Sequence, residues 1–311
     1  MAETVAGVVL AGTGGVWQVQ LASGASIEAS LRGRLKLERE GATQFKLAVG
    51  DRVEVTHDAA GAAWRIETIL PRTSTLARRS PSGRGERIVI ANIDQVVVVF
   101  ALVRPEPHPG MLDRFLAIAE ANDIAARVVV NKVDLADEAF ARTLFGHYER
   151  IGYPVHVTSA ADRRGLDALH DALVGRISAL TGPSGVGKSS LMNAMYPGLS
   201  LRVAEISASV NKGRHTTVGA HLHPLPDGGF VADTPGLREV GLWGLDPTSL
   251  DQCFPEFAPY LGECRFGDCT HRVEPGCAVR AAVDEGQVAL VRYESYRKLR
   301  AELEESAADV W

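Results

Sequence analysis

Gly182-Pro-Ser-Gly-Val-Gly-Lys188-Ser189 matches the phosphate-binding loop G-x-x-x-x-G-K-[ST]. In such a loop, backbone N–H groups surround the phosphate oxygens, the lysine reaches the β- and γ-phosphates, and the hydroxyl holds Mg²⁺. The apolar run 177–181 before the loop predicts a buried strand, and residues 189–195 after it predict a helix whose N-terminus favours anions. The alternative is a glycine-rich turn without a ligand. The residues predicted to contact a nucleotide are Gly182, Pro183, Ser184, Gly185, Val186, Gly187, Lys188, Ser189 and Ser190.

Two further segments fit the phosphate end of such a site. Asp233-Thr-Pro-Gly236 follows an apolar run, where the aspartate can hold Mg²⁺ through water and the N–H of Gly236 can meet a γ-phosphate. The alternative is an ordinary turn, because this tetrapeptide has favourable turn chemistry. The polar segment Gly213-Arg-His-Thr-Thr217 offers a threonine that would complete the Mg²⁺ shell when γ-phosphate is bound. The sequence does not decide between Thr216 and Thr217.

A base-reading motif, Asn131-Lys-Val-Asp134, directly follows an apolar strand. The carboxylate can accept the two N–H groups that guanine presents and adenine lacks, so an adenine base would leave it unpaired. The aliphatic stem of Lys132 can cover the base plane. The alternative is a helix N-cap. Backbone N–H groups at the strand end Ser159-Ala160 can meet the guanine carbonyl. The residues predicted to contact the base are Asn131, Lys132, Val133, Asp134, Ser159 and Ala160.

Composition bounds the class of protein. The chain has 311 residues, a net charge of -5 and 46% hydrophobic residues, enough for two or three domains with ordinary cores. No global basic character points to nucleic acid, so any such contact has to be a local patch. No apolar run approaches the length of a membrane span, and no N-terminal targeting pattern is present. We therefore expect a soluble, cytoplasmic protein, and a monomer.

The first 70 residues are rich in short strands separated by glycines, which is typical of a five-stranded barrel of the OB type. Many OB barrels bind nucleic acid. In an extended segment 31–37, Arg32, Arg34 and Lys36 would share one face and form a basic stripe suited to RNA phosphates. An ordinary solvated strand face is the equal alternative. Residues 71–87, with several arginines among Ser, Pro and Gly, predict a basic, mobile linker.

From residue 88 the pattern changes to apolar strands that alternate with helices, so we expect an α/β domain with a parallel, doubly wound sheet over residues 88–245. Its helices are predicted at 111–125, 137–151, 166–174 and 189–195. The remaining residues, 246–311, form a separate C-terminal part with one helix over about 284–308, whose apolar side carries Val288, Val291, Leu299 and Leu303.

Cys264, Cys269, His271 and Cys277 supply the tetrahedral ligand set of a structural zinc site. Their clustering in a segment with little apolar core favours a metal over disulfides. The alternative is free thiols with a surface histidine. A catalytic metal is disfavoured because four protein ligands leave no open position. The remaining cysteine, Cys253, is predicted to pack in a core.

The order of these motifs resembles that of the circularly permuted GTPases, because the base-reading motif precedes the phosphate loop. With a barrel in front and the Cys-Cys-His-Cys segment behind, the whole chain resembles the small-ribosomal-subunit biogenesis GTPase family, RsgA or YjeQ. The resemblance implies an OB barrel, a permuted GTPase domain and a mainly helical zinc domain. It also implies GTP hydrolysis stimulated by the small ribosomal subunit and a late role in maturation of that subunit and its rRNA.

The chain departs from Ras-like GTPases at Leu237, where those enzymes carry a glutamine that orients the attacking water. We therefore expect slow intrinsic hydrolysis. His215 is the candidate for orienting the water, because a neutral imidazole can accept its hydrogen bond, although a role in recognition alone is nearly as well supported. Lys188 and Gly236 complete the predicted catalytic set. Two other functions stay open: an RNA-binding scaffold with a vestigial pocket, and a P-loop kinase, which Asp134 disfavours.

Overall fold

The computed structural model describes residues 4–32, 47–57, 63–79, 86–198, 220–233 and 245–308. These residues fall into two compact units. The first takes its described residues from Met1–Gln95, Asp171–Leu180 and Arg202–Gly241, and the second from Val96–His170, Thr181–Leu201 and Leu242–Trp311. The units interleave along the chain, so they do not coincide with the domain segments predicted from sequence, and those boundaries stay predictions.

The N-terminal part of the first unit is a closed barrel of five strands in the order β1-β2-β3-β5-β4. Strands β3 and β5 are parallel, and the other four pairs of neighbouring strands are antiparallel. This is the OB-type barrel that the sequence predicts. The strands are β1 Thr4–Thr13, β2 Val16–Leu21, β3 Ser26–Leu31, β4 Arg52–His57 and β5 Trp64–Ile69. Alternate residues fill the core, which contains Val9, Val19, Ala29, Leu47, Val53, Val55 and Ile66.

The segment predicted as a mobile linker instead contains β6, Thr75–Arg79, and the start of β7, Glu86–Ala91, which pair antiparallel. Buried Leu76 lies opposite buried Ile90 in this small sheet. Arg72, counted from sequence as a linker cation, makes a two-bond contact with the fully buried carboxylate of Asp51, at 2.6 and 2.8 Å. A buried carboxylate requires such a partner. The arginine-rich composition of residues 71–87 therefore led to a prediction of a linker, whereas Arg72 of this segment binds Asp51 next to β4 of the barrel.

Three more strands of the first unit lie in the order β11-β13-β12. They are β11 Ile177–Thr181, β12 His221–Pro224 and β13 Phe230–Asp233. Strand β11 is parallel to β13, and β12 is antiparallel to it. The carboxyl ends of β11 and β13 are the positions from which the phosphate loop and the Asp233 segment depart.

The second unit contains strands in the order β10-β9-β8, flanked by helices. The strands are β8 Gln95–Ala101, β9 Ala125–Asn131 and β10 Val155–Val157, and the helices are α1 Pro109–Ala121, α2 Glu138–Arg150, α3 Leu166–Leu173 and α4 Lys188–Met195. Every residue of β8 is buried, as expected for a strand that is covered on both faces. The predicted helices are therefore present, with boundaries that differ by a few residues.

The C-terminal part of the second unit is mainly helical, as predicted. It has short 3-10 helices at Leu250–Cys253 and Pro255–Tyr260, followed by α5 Ala278–Asp284 and α6 Leu290–Ala308. The single helix predicted over 284–308 thus begins too early, because the chain turns at Gly286, whose φ is 74°. Val288, Leu299 and Leu303 are buried as expected, whereas Val291 is 36% exposed. Cys253 is buried, in agreement with its predicted packing role.

A buried ion cluster holds α6 in place within this unit. Arg292, 1% exposed, donates to Glu256 at 2.6 and 3.1 Å and to Asp113 of α1 at 2.7 Å. Its guanidinium lies 4.5 Å from the ring centroid of Phe254, and the hydroxyl of Tyr148 donates to the same Asp113 oxygen at 2.8 Å. Removal of one partner from such a cluster typically costs about 3–5 kcal/mol. The cluster therefore fixes α6 to α1.

Among the described residues, no helix combines the length and apolar character that crossing a membrane requires.

Candidate functional site

The phosphate loop follows β11 and ends where α4 begins, at Lys188. Its glycines are required by geometry. A Cβ on Gly182, whose φ is 130°, would lie 2.0 Å from the carbonyl oxygen of Val99, and one on Gly187, whose φ is 95°, would lie 2.4 Å from the amide nitrogen of Asn131. Both distances are shorter than any real contact, so only glycine fits at either position. The loop therefore keeps its backbone close to its neighbours and presents N–H groups at a helix N-terminus.

Lys188 is held within the same loop. Its Nζ donates to the carbonyl oxygens of Gly182 and Pro183, at 2.8 Å each. These bonds hold the ammonium group against the backbone of the loop, and the oxygens of a bound phosphate would replace the two carbonyl oxygens as its partners. The hydroxyl-bearing Ser189 follows on the first turn of α4 and is half-buried.

Asn131 joins the base-reading motif to the phosphate loop. Its buried side-chain amide donates to the carbonyl oxygen of Val186 at 2.9 Å. Lys132, in the left-handed region at φ 64°, extends its ammonium group to the carbonyl oxygens of Gly185 and Arg104, at 2.6 and 2.5 Å. Two consecutive side chains of the earlier motif thus bind the backbone of the later one. The two motifs, distant in sequence, form one continuous surface.

Asp134 lies in the 3-10 turn Val133–Leu135 and is exposed. Its Oδ1 accepts a 2.7 Å hydrogen bond from the hydroxyl of Ser159, which is fully buried at the end of β10. The Ser159 oxygen in turn accepts the N–H groups of Ala161 and Asp162, at 3.2 and 3.3 Å. This chain of bonds fixes the hydroxyl and therefore the carboxylate. Sequence reasoning placed Ser159 beside the base but did not show that it orients Asp134.

The four zinc ligands predicted from sequence lie together. One donor atom from each of Cys264, Cys269, His271 and Cys277 falls within 4.8 Å of all the others. The Cys264 and Cys277 sulfurs are 3.9 Å apart, and Nδ1 of His271 lies 3.5 and 3.3 Å from them. Two thiolates bound tetrahedrally to one zinc at about 2.3 Å would be about 3.8 Å apart, so this donor set fits a zinc ion. The cluster could therefore hold a metal.

Neighbouring residues hold the metal-ligating segment in shape. Nε2 of His271, the nitrogen that faces away from the thiols, lies 3.4 Å from Oδ2 of Asp251, an arrangement that orients a metal-binding imidazole. Glu274 accepts the backbone N–H groups of Thr270, Arg272 and Val273 at 2.8–3.0 Å. Burial alone would raise the pKa of Glu274, but these bonds and one from the Thr270 hydroxyl lower it. Nothing in the sequence pattern had singled out Asp251 or Glu274.

Residues 69–243, more than half of the chain, match the family model described as RsgA GTPase. The chain belongs to the RsgA GTPase family. Membership makes it a GTP hydrolase, and it agrees with the phosphate loop, the preceding base-reading motif and the cysteine–histidine cluster seen in the structure.

Relatives within the RsgA family match the chain over nearly its whole length. The "Small ribosomal subunit biogenesis GTPase RsgA" of Gemmatimonas aurantiaca is 62% identical, over 97% of this chain and 99% of the relative. A protein of the same name from Moorella thermoacetica is 42% identical, over 96% of this chain and 97% of the relative.

Solved structures give the same result for the fold. The crystal structure of YjeQ from Thermotoga maritima is 35% identical, covers 97% of this chain and 99% of its own, and has a TM-score of 0.79. The structure of YloQ, described as a circularly permuted GTPase, is 29% identical, covers 98% of this chain and 96% of its own, and has a TM-score of 0.73. The predicted fold class is therefore confirmed: an OB-type barrel, a circularly permuted GTPase fold and a C-terminal part that carries a Cys₃His cluster.

Several predicted residues of this RsgA GTPase lie outside the described part of the chain. They are Arg34, Lys36, His215, Thr216, Thr217 and Gly236. The backbone of Asp233 is described and ends β13. Arg32 is exposed just after β3 and forms an ion pair with Glu67, so the one described member of the predicted RNA stripe already has an acidic partner.

Proposed function

We propose that the chain binds the small ribosomal subunit and hydrolyses GTP to GDP and phosphate during late maturation of that subunit, with the nucleotide state switching ribosome binding. The bond from Asn131 to the carbonyl of Val186 carries the proposal, because it joins the base-reading and phosphate-binding motifs in one surface. The names of full-length relatives that are up to 62% identical support the ribosomal partner. The same proposal takes the chain to act in the cytoplasm as a monomer.

In this proposal, some pocket residues bind the guanine base and others bind the phosphates. Asp134, oriented by Ser159, accepts the guanine N–H groups, Lys132 covers the base, and the N–H groups of the loop and of Ala160 donate to oxygens. Lys188 leaves its loop carbonyls and donates to the β- and γ-phosphate oxygens, where it stabilises the charge that develops on transfer. The remaining loop residues proposed to line the pocket are Gly182, Pro183, Ser184, Gly185, Val186, Gly187, Ser189 and Ser190.

Two metals belong to the proposal. Magnesium, when bound with GTP, supplies charge neutralisation between the phosphates, and Ser189, Asp233 and either Thr216 or Thr217 are the residues proposed to hold it. A structural zinc ion, one per chain, is proposed for Cys264, Cys269, His271 and Cys277. The barrel residues proposed to contact rRNA are Arg32, Arg34 and Lys36. On RNA binding, Arg32 would leave its ion pair with Glu67 and pair with an RNA phosphate instead.

Nucleotide specificity and ribosome dependence test the function together. We expect hydrolysis of GTP and not ATP, slow alone and faster with purified small subunits. Lys188→Ala should lower the stimulated rate by about 10²–10³-fold, because it removes a donor to the transition state. Lys298→Ala, which removes an exposed lysine of α6, is the matched control and should not change the rate.

Each alternative has its own outcome in this assay. Binding to small subunits without any GTP hydrolysis would support an RNA-binding scaffold, and equal use of ATP with transfer to an acceptor would support a kinase. Either result would overturn the proposed function.

The water-orienting role of His215 has a separate test. Because Leu237 cannot orient water, His215→Ala should lower the subunit-stimulated rate by about 10²–10⁴-fold, the usual contribution of a positioned acid–base group. GTP affinity, measured by equilibrium titration, should stay within a few-fold of the unmodified protein. A stimulated rate equal to that of the unmodified protein removes this role from His215.

A further inference from the structure

The segment that follows β8 lies against the proposed nucleotide pocket at Arg104. The backbone carbonyl of Arg104 accepts a hydrogen bond from Nζ of Lys132 at 2.5 Å, and the same ammonium group donates to the carbonyl of Gly185 at 2.6 Å. A Cβ on Gly185 would lie 3.9 Å from Cδ of Pro105, the next residue of the segment. The backbone of Arg104 is therefore held at the junction between the base-reading motif and the phosphate loop.

Arg104 has an unusual backbone conformation at this junction. Its φ is 53°, in the left-handed region, which disfavours residues with a Cβ and which glycine or asparagine usually occupies. Other residues that hold this conformation are concentrated at binding and catalytic sites, where surrounding contacts keep them in place. The hydrogen bond from Lys132 is such a contact. An arginine at this position is thus a candidate for a function of its side chain.

The guanidinium group of Arg104 is available to a ligand. The residue is exposed, and its side chain makes no hydrogen bond or ion pair within the part of the chain that the structure describes. Lys132 and Lys188, by contrast, both donate to backbone carbonyl oxygens. Arg164 is paired with the carboxylate of Asp162. Among these cations, only Arg104 can bind a ligand without first leaving a partner in the protein.

The proposed nucleotide would pass the junction at which Arg104 is held. In the pocket proposed above, the guanine lies at Asp134 and the β- and γ-phosphates lie on the loop that ends at Lys188. The sugar and the α-phosphate, which connect these two parts of the ligand, would therefore lie between the two motifs. A guanidinium group binds a phosphate through two parallel N–H donors and stays charged at any physiological pH. The α-phosphate is thus the acceptor that best matches Arg104.

We propose that Arg104 is a nucleotide-binding residue whose guanidinium group donates to the α-phosphate of the bound guanine nucleotide. The inference rests on the proposed GTPase function and adds a residue that none of the sequence motifs contains. Because GDP and GTP share the α-phosphate, the contact stabilises both nucleotides to the same extent. Transfer of the γ-phosphate does not alter the contact, so it contributes to nucleotide affinity rather than to stabilisation of the transition state.

Arg104→Ala removes the donor, and Arg150→Ala, which removes an exposed arginine at the end of α2, is the matched control. Isothermal titration calorimetry measures the Kd of unlabelled GDP and of a non-hydrolysable GTP analogue at low and at high salt. At low salt we expect the Kd of Arg104→Ala to rise about 10-fold for both nucleotides, the usual loss for a hydrogen bond to a charged group. The Kd of Arg150→Ala should stay within about two-fold of the unmodified protein. High salt should reduce the difference, because it screens exposed charges.

Arg104→Gly separates the side chain from the backbone, because glycine adopts the left-handed conformation without strain and keeps the carbonyl that binds Lys132. It should lose as much nucleotide affinity as Arg104→Ala, and it also tests the proposal if Arg104→Ala does not fold. Arg104→Lys keeps the charge without the paired donors and should lose less affinity than either variant.

Two results overturn the inference. One is a GDP affinity of the alanine and glycine variants equal to that of Arg150→Ala, and the other is a loss for the GTP analogue without a loss for GDP. If unchanged nucleotide affinity is accompanied by weaker binding to small subunits, Arg104 binds an RNA phosphate instead. These results leave the GTPase proposal intact, whereas failure of the unmodified protein to bind either nucleotide would contradict the proposed function itself.

Discussion

Loss of a single cysteine ligand should unfold the metal-binding segment and leave the barrel folded. Cys277→Ala removes one of the four donor atoms and leaves the start of α5 otherwise unchanged, because the Cys277 side chain makes no capping hydrogen bond to that helix. Structural zinc sites contribute about 10–16 kcal/mol of apparent folding free energy, which is as large as the whole stability of a typical domain. The segment 264–277 cannot recover this loss, because its only buried side chains are those of two ligands themselves, His271 and Cys277.

Cys253→Ala is the matched control, because Cys253 is buried and lies outside the cluster. Zinc content by elemental analysis and hydrogen exchange across the chain are the measurements. The unmodified protein and Cys253→Ala should carry one zinc ion per chain, and Cys277→Ala should carry none. Amide exchange in Cys277→Ala should rise in residues 264–284 and in the part of α6 that contacts them, while strands β1–β5 keep their protection.

The contacts of α6 explain why exchange should spread into that helix. The hydroxyls of Tyr293 and Tyr296 donate to the carbonyl oxygens of His271 and Thr270, at 2.7 and 2.9 Å. Without the metal, the segment that carries these two carbonyl oxygens is no longer held in place, so we expect both hydrogen bonds to α6 to be lost. The Arg292 cluster is independent of the metal and should still hold the first turns of α6 on α1. Zinc bound by Cys277→Ala, or exchange equal to that of Cys253→Ala, would show that the segment folds without the ion.

The parts of this molecule that sequence could predict are those with a local signature. The glycines of the phosphate loop, the strand that precedes it and the four metal ligands each depend on residue type at fixed spacing, and the barrel strands depend on period-two alternation. The permuted order of the motifs is itself a sequence observation. For these reasons the fold class was predictable before the structure.

The parts that sequence could not predict depend on contacts between distant residues. Arg292 and Asp113 are 179 residues apart, and Arg72 and Asp51 are 21 apart. A charged residue normally indicates an exposed position, so neither the buried Arg292 nor the half-buried Arg72 could be distinguished from a surface arginine by sequence. The same bias made β6 and the start of β7 look like a linker, because residues 71–87 contain five arginines and few apolar residues besides Leu76 and Ala77.

The hydrogen bonds that orient the residues of the candidate site also join residues that are distant in sequence. The hydroxyl of Ser159 binds Asp134, and the amide of Asn131 binds the backbone of Val186. A motif supplies the residue types at these positions, but the bonds arise only when β9, β10 and the phosphate loop come together in the fold. Sequence therefore predicted which residues to examine, and the structure supplied how they are held.

Asp134→Asn should change which purine the protein accepts. An asparagine keeps the shape of the aspartate but offers one acceptor and one donor group. The Ser159 hydroxyl, fixed by two backbone N–H groups, donates toward this position, so the amide oxygen should turn to Ser159 and the amide N–H₂ toward the base. Guanine also presents donors there, so two donors would face each other. Sites built to pair such groups reject a mismatched ligand by about 10⁴–10⁵-fold, and we expect GTP affinity to fall by at least about 10³-fold.

Xanthosine triphosphate is the ligand that should gain, because its base presents a carbonyl oxygen where guanine has its amino group. Competitive binding of GTP, xanthosine triphosphate and ATP measures the change. Asp162→Asn is the matched control, because this neighbouring carboxylate is exposed, pairs with Arg164 at 2.7 Å and lies outside the base-reading motif. Ser159→Ala should lower GTP affinity by about ten-fold, because it loosens Asp134 without removing the carboxylate. If Asp134→Asn binds GTP as tightly as Asp162→Asn does, Asp134 does not read the base, and the partnership between Asn131 and the phosphate loop would then be structural alone.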